Sequence, residues 1–188
     1  MGTREDAMNK IEQIIDATVK KEGGYTNNPN DSGGETIWGI TAAVAREAGY
    51  TGPMKAMTRE QAVAIYTAKY FLAPRFDKVL ALSPSIAEEL FDTGVNMHPT
   101  TATRMLQRAL NWFNKRGEHY PDLIDDGILG DVTLRALKSY LDLRKAQGEL
   151  VMLRALNCLQ GVRYGELTER RQKDEDFVFG WFLHRVGV

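Results

Sequence analysis

The sequence predicts a mainly α fold broken by one short irregular hairpin or loop around residues 24–40. Three observations carry this reading. Apolar residues recur at helical spacing through most of the chain, capping signals open several of those segments, and a single long stretch is too rich in Gly, Asn and Pro to be helical. In the first segment Ile11, Ile14, Ile15 and Val19 share one face, Thr3 and Asp6 make a capping pair, and Gly23 offers a stop. Residues 4–22 therefore read as one amphipathic helix. The turn formers from Gly23 to Gly34 must then be loop or hairpin, and so long a break in a small protein usually serves function.

Helical signals resume from Ala42 to Ala48, closed by Gly49, and again at Thr58-Arg59-Glu60-Gln61, a full capping box ahead of Val63, Ile65, Tyr66 and Tyr70. Ser83 before Pro84 gives an N-cap and a first-turn proline for a helix carrying Ile86, Leu90 and Val95. Pro99 opens the next, with Ala102, Met105, Leu106, Ala109, Leu110 and Phe113. A second loop spans 117–131, after which Leu134, Leu137 and Leu141 mark another helix. Gly148 is expected to separate it from a helix around Leu150, Leu153, Leu156 and Leu159. In the last segment Phe177, Trp181 and Arg185 fall on one helical face, and Phe177, Phe179, Trp181 and Phe182 read as core.

The 188 residues carry 24 Lys plus Arg against 25 Asp plus Glu, and a net charge of -1 argues against a nucleic-acid partner. With 43% hydrophobic residues the chain can bury a core, yet no apolar run approaches the roughly 20 residues of a membrane span. Membrane insertion is not expected. The start, Met1-Gly2-Thr3-Arg4-Glu5-Asp6, lacks the basic and apolar regions of a secretory signal, so synthesis and residence in a cytoplasm are expected. Cys158 is the single cysteine and is expected as a buried, inert thiol. His98, His119 and His184 are too scattered for a zinc peptidase. No metal or organic cofactor is implied, and a monomer is expected.

The chemistry concentrates between Glu22 and Thr41. Glu22 closes a helix, where the partial negative charge of the C-terminus raises a carboxyl pKa and suits it to general-acid work. Asp31 and Thr36 follow across a glycine-rich loop that can fold back, setting a second carboxylate and a hydroxyl opposite Glu22. That equipment fits glycoside hydrolysis. Plainer readings stand beside it: a solvated Glu at a helix end, an Asp capping a turn, a Thr in a strand. Tyr25, Trp38 and Tyr70 could stack on sugar rings, or serve as scaffold.

Glu22-Gly23-Gly24-Tyr25 followed by Asp31-x-Gly33-Gly34-x-Thr36-x-x-Gly39-Ile40-Thr41 resembles the signature of the family 108 glycoside hydrolases, N-acetylmuramidases found in phage endolysins and in some bacterial secretion-linked muramidases. The resemblance continues through Tyr66, Lys69-Tyr70-Phe71 and Phe91-Asp92-Thr93-Gly94-Val95-Asn96. It then passes into a part similar to the family's predicted peptidoglycan-binding segment, with Leu106-Gln107, Asp126-Gly127-x-x-Gly130-x-x-Thr133, Arg163-Tyr164 and Phe179-Gly180-Trp181. It implies a lysozyme-like fold with Glu22 as catalytic acid, bacterial peptidoglycan as partner, and Asp31 and Thr36 in a triad spaced as in phage lysozymes. A catalytic lobe over 4–96 and a helical peptidoglycan-binding-like lobe over 97–188, packed as one globular unit, are expected.

The function so implied is an endolysin acting on the periplasmic wall after release from the host cytoplasm. Rival readings are a lytic transglycosylase on the same bond, a secretion-associated bacterial muramidase, a non-catalytic wall-binding protein, and a peptidase acting on the peptide stems.

Overall fold

Helix α1 (Arg4–Glu22) buries Ile11, Ile14, Ile15 and Val19, the face its spacing predicts, and packs against α3 (Arg59–Ile65). Arg59 pairs with Asp16 across that interface. The computed structural model describes residues 4–22, 24–27 and 34–187, with the backbone alone at 4, 21 and 22. Thr3, Gly23 and Asp31 lie outside the described residues.

The capping box at α3 forms as expected. Thr58 Oγ1 accepts from the Gln61 N–H at 3.3 Å, while the Gln61 side chain accepts from the Thr58 N–H at 2.9 Å. α3 then runs into a π-helical turn, Tyr66–Leu72, where the Ala73 N–H reaches back five residues to the Ala68 carbonyl at 2.9 Å. Strands β1 (Thr36–Ile37) and β2 (Ile40–Thr41) pair antiparallel, Thr36 opposite Thr41 and Ile37 opposite Ile40. Their two-residue turn has positive φ at both Trp38 (54°) and Gly39 (74°), the primed geometry that matches strand twist. α2 (Ala42–Glu47) follows directly, capped by Thr41, and a 3₁₀ turn (Met54–Ala56) leads to α3.

This first compact unit ends at Ala73 and the second starts at Pro74, so the units divide inside the expected 4–96 lobe. The second contains α4 (Phe76–Leu80), α5 (Pro84–Met97), α6 (Pro99–Phe113), α7 (Asp131–Arg170), a 3₁₀ turn (Gln172–Asp174) and α8 (Glu175–Arg185). Ser83 and Pro84 open α5 as predicted, the Ile86 N–H donating to Ser83 Oγ at 3.2 Å. His98 alone joins α5 to α6, at φ 81°. So abrupt a reversal presses Gly94 against Pro99, and a Cβ on Gly94 would sit 3.3 Å from the Pro99 Cα. The core collects Phe76, Leu90 and Phe91 with Leu106, Leu110, Leu137 and Leu156.

Three expectations are corrected here. α7 breaks at Lys145 (φ 53°, ψ -145°) and not at Gly148. The glycine meets a different demand: it is buried, the Tyr140 hydroxyl donates to its carbonyl at 2.9 Å, and an added Cβ would collide with the Arg144 Cβ at 2.4 Å. Cys158 is exposed, since the helix turns the face bearing Leu156 and Leu159 inward. α8 buries none of its residues: Phe177 is 58% and Phe179 76% exposed, Phe182 is exposed too, and Trp181 is partly covered by stacking on Tyr164 with ring centroids 4.8 Å apart. Among the described residues no helix is long and apolar enough to cross a membrane.

The Tyr140 bond bridges the break in α7. Tyr140→Phe should lower stability by about 1–2 kcal/mol in urea denaturation, because it leaves a buried carbonyl without its donor; an unchanged midpoint would mean that the break does not depend on that bond.

Candidate functional site

Glu22 is the last residue of α1, and its side chain, like the whole of Asp31, lies outside the described residues. Thr36, the third member of the expected triad, lies within the described residues. Thr36 pairs with Thr26 in an antiparallel bridge, the two residues exchanging N–H to carbonyl bonds of 2.8 and 2.9 Å. On its other side Thr36 faces Thr41 in the hairpin, so three threonines lie abreast. The bridge closes the loop between 26 and 36 at its base, and in sequence Asp31 is the midpoint of that excursion. Thr36 Oγ1 donates to the Gly34 carbonyl at 3.3 Å; among the described residues its oxygen accepts no hydrogen bond.

The three aromatic candidates are linked through their neighbours. Tyr25 donates its hydroxyl to Glu35 Oε1 at 2.6 Å, while the Lys55 ammonium stands 4.8 Å from the centre of its ring. The hydrogen bond to Glu35 comes first among the causes that raise the Tyr25 pKa. Trp38, a bulky residue at positive φ, is held at both ends: its indole N–H donates to the Met57 carbonyl at 3.1 Å, and its own carbonyl accepts the Tyr66 hydroxyl at 3.1 Å. Tyr70, on the π turn, leans on Tyr66 with ring centroids 5.6 Å apart, and burial raises its pKa. A cavity of about 400 Å³ in this unit is lined by Glu47, Ala48, Ala64, Ile65, Ala68 and Lys69, and by none of Tyr25, Thr36, Trp38 and Tyr70.

In the second unit the motif residues converge on one loop. Gln107, buried, donates to Asp126 Oδ1 at 2.9 Å and accepts from the Gly127 N–H at 2.9 Å; Asp126 Oδ1 also receives the Ile128 N–H at 2.8 Å. These bonds, that from Gln107 first, hold the Asp126 carboxyl below the usual range. Gly127 has φ 78°, and a Cβ there would strike Thr100 Cγ2 at 2.4 Å. Two residues that sequence reading passed over extend the pattern. Asn111 exchanges two 2.8 Å bonds with the backbone of Leu123, and Asn114 donates to Asp122 at 2.5 Å while accepting from the Gly117 N–H at 3.2 Å. Positions 107, 111 and 114 share one face of α6, a spacing visible in the sequence.

Glu89 was also missed. It accepts from the Thr93 hydroxyl at 3.4 Å, and Thr93 in turn accepts from Gln160 Nε2 at 2.8 Å. Burial first, then the charge of Asp92, pushes Glu89 up to about 7, against hydrogen bonds from Asn157 and Thr93. Asp92 itself meets Arg185 at 3.2 Å, tying α8 to α5.

The described residues form a mainly helical, lysozyme-like fold with one two-stranded hairpin, and its first helix ends at Glu22. The family model described as Glycosyl hydrolase 108 matches residues 15–97, and that described as Predicted Peptidoglycan domain matches 101–186. The chain thus carries a glycosyl hydrolase 108 region followed by a peptidoglycan region, and is a glycoside hydrolase of lysozyme type with peptidoglycan as its substrate or partner. No curated protein matches it. Among solved structures that of Brucella abortus SagA is similar, with a TM-score of 0.63 and 21% identity over 92% of this chain and 95% of that one, which shows a shared fold.

Two outcomes follow from the second unit. Gln107→Leu strands Asp126 and the Gly127 N–H, and should cost about 1–3 kcal/mol in urea denaturation. Glu89→Gln keeps hydrogen-bonding capacity but removes the titration. The folded carboxyl titrates near 7 against an ordinary 4.5, so the folded parent binds the extra proton and loses stability as pH rises between those values. The variant should match the parent near pH 4 and exceed it at pH 8 in denaturation midpoints; parallel pH profiles would refute this.

Proposed function

We propose that the chain is an endolysin-type N-acetylmuramidase that hydrolyses the β-1,4 bond between N-acetylmuramic acid and N-acetylglucosamine, causing lysis of a bacterial host. Glu22 protonates the leaving oxygen, Asp31 orients a water or stabilises the positive charge on the sugar, and Thr36 helps to hold the water. The observation that carries this reading is the Thr26–Thr36 bridge in a chain with a glycosyl hydrolase 108 region. Thr26 lies four residue steps from Glu22, a span of at most about 14 Å, so the bridge tethers the Thr36 hydroxyl to the end of α1. Among the described residues no donor reaches the Thr36 hydroxyl oxygen, which suits a water-holding role. If Asp31 activates water on the far face of the ring, the enzyme inverts, with its carboxyls roughly 6.5–9.5 Å apart.

Tyr25, Trp38 and Tyr70 supply sugar-stacking faces around the hairpin. The Tyr25 ring has the Lys55 ammonium 4.8 Å from its centre. Hydrolysis belongs to the region up to about residue 96 and wall recognition to 97–188, in line with the two family matches. The protein acts as a monomer, held in the host cytoplasm until released to the periplasmic wall.

Glu22→Gln should slow the clearing of purified sacculi by at least about 100-fold, the usual scale of losing a general acid, with an unchanged melting curve. Equal clearing by variant and parent would remove Glu22 from the mechanism. Mass spectrometry of the products should show reducing ends that have gained a water; anhydro ends would turn the reading into a lytic transglycosylase.

A further inference from the structure

Within the second unit α6 and α7 leave a groove of about 360 Å³ between them. Met105 and Leu159, both buried, form its floor. Arg104 and Arg108, one helical turn apart and exposed, make the α6 wall, and among the described residues neither is in an ion pair. Asp125, Val162, Arg163 and Glu166 complete the rim; Arg163 pairs with Glu166 Oε2 at 3.0 Å, and among the described residues the second oxygen of Glu166 takes no hydrogen bond. Val162 is left 62% exposed, and Trp112, one turn beyond Arg108 on α6, is 54% exposed with the Arg108 guanidinium 6.0 Å from its ring centre.

Solvated arginines are ordinary on a convex surface. Here two of them stand over an apolar floor, opposite a rim that carries carboxylates, so a concave site offers both signs of charge at separate places. Two guanidinium forks a turn apart suit two carboxylates, since each can bind one bidentately. The apolar floor and Val162 accept methyl groups, and Asp125 with Glu166 can receive an ammonium.

We propose that this groove binds the peptide stem of peptidoglycan: a short chain of small residues with several free carboxylates and one amine on its diamino acid. The carboxylates lie against Arg104 and Arg108, the amine between Asp125 and Glu166, and the alanine methyls on Met105, Leu159 and Val162. This rests on the reading of the chain as a peptidoglycan-acting hydrolase, and gives its second lobe a ligand other than the glycan that is cut.

The test is calorimetric titration of the full chain with the free tetrapeptide stem, with the same peptide amidated at its carboxylates, and with N-acetylglucosamine oligomers. The free stem should bind, more weakly as salt rises, and Arg104→Gln with Arg108→Gln should weaken it about tenfold for each guanidinium–carboxylate pair removed. Asp125→Asn with Glu166→Gln should weaken the stem but not a stem whose amine is acetylated. The proposal is overturned by a stem that does not bind, by equal binding of the amidated peptide, or by both double variants binding like the parent. Binding of the oligomers without the stem would overturn it as well. Because no glycan is present in the stem titration, a failed Glu22→Gln test leaves the stem proposal standing, and a stem that does not bind leaves the hydrolase reading standing.

Discussion

Every backbone N–H and carbonyl withdrawn from water needs a partner, and that requirement governs the hairpin of the first unit and the loop after α6 in the second. In the first unit one bridge, Thr26 to Thr36, extends a hairpin too short to be stable alone into three aligned strand positions. In the second unit the loop after α6 has no ladder to join. Gln107, Asn111 and Asn114 replace it, each amide donating with its nitrogen and accepting with its oxygen. Helices supply the rigid rows, and the loops take their shape from them. The residues on which function is proposed to depend follow from this arrangement, since Thr36 sits on the bridge and Asp125 in the loop held by the amides.

The strained turn at the hairpin tip depends on the same economy of partners. A tryptophan at positive φ is costly unless its surroundings hold it there. Met57 and Tyr66 do so from two sides, through the indole N–H and the main-chain carbonyl. Tyr66 is fully buried and begins the π turn, whose extra residue per turn carries Tyr70 round to lean on it. The hairpin tip is therefore fixed by the core of the unit rather than by its own two short strands.

Much of this was legible in the sequence wherever local chemistry decides the outcome. Thr58 with Gln61, Ser83 with Pro84, and Pro99 each open a helix where their side chains say it should open. The motif pointed to Glu22, Asp31 and Thr36, of which the described residues show Thr36 in its bridge to Thr26. What escaped was decided by packing. Lys145 adopts the left-handed conformation that local propensity assigns to the glycine three residues on, because Gly148 is needed where Tyr140 and Arg144 press close. The aromatics of α8 announce apolar content but not which surface covers it, and none is buried. Glu89 was invisible for the same reason: nothing local to a Glu on a helix reveals that Asn157 and Thr93 enclose it.

The two family matches meet between residues 97 and 101, yet this boundary does not separate two folding units. α4 and α5 lie within the hydrolase match, and their packing partners α6 and α7 lie in the peptidoglycan match. Only His98 joins α5 to α6, and Gly94 is a glycine because Pro99 of the next helix touches it. Ile86, Leu90 and Phe91 are buried on a helix that packs on α6 and α7 as well as on α4, while the Thr93 to Gln160 bond and the Asp92 to Arg185 pair fix its polar side. A chain cut at residue 97 would strip α5 of its packing on α6 and α7 and Glu89 of its bond from Asn157, a loss large against the marginal stability of a small domain. The Asp92-Thr93-Gly94 motif, carried in the hydrolase part of the sequence, thus acts as the joint on which the peptidoglycan part is built.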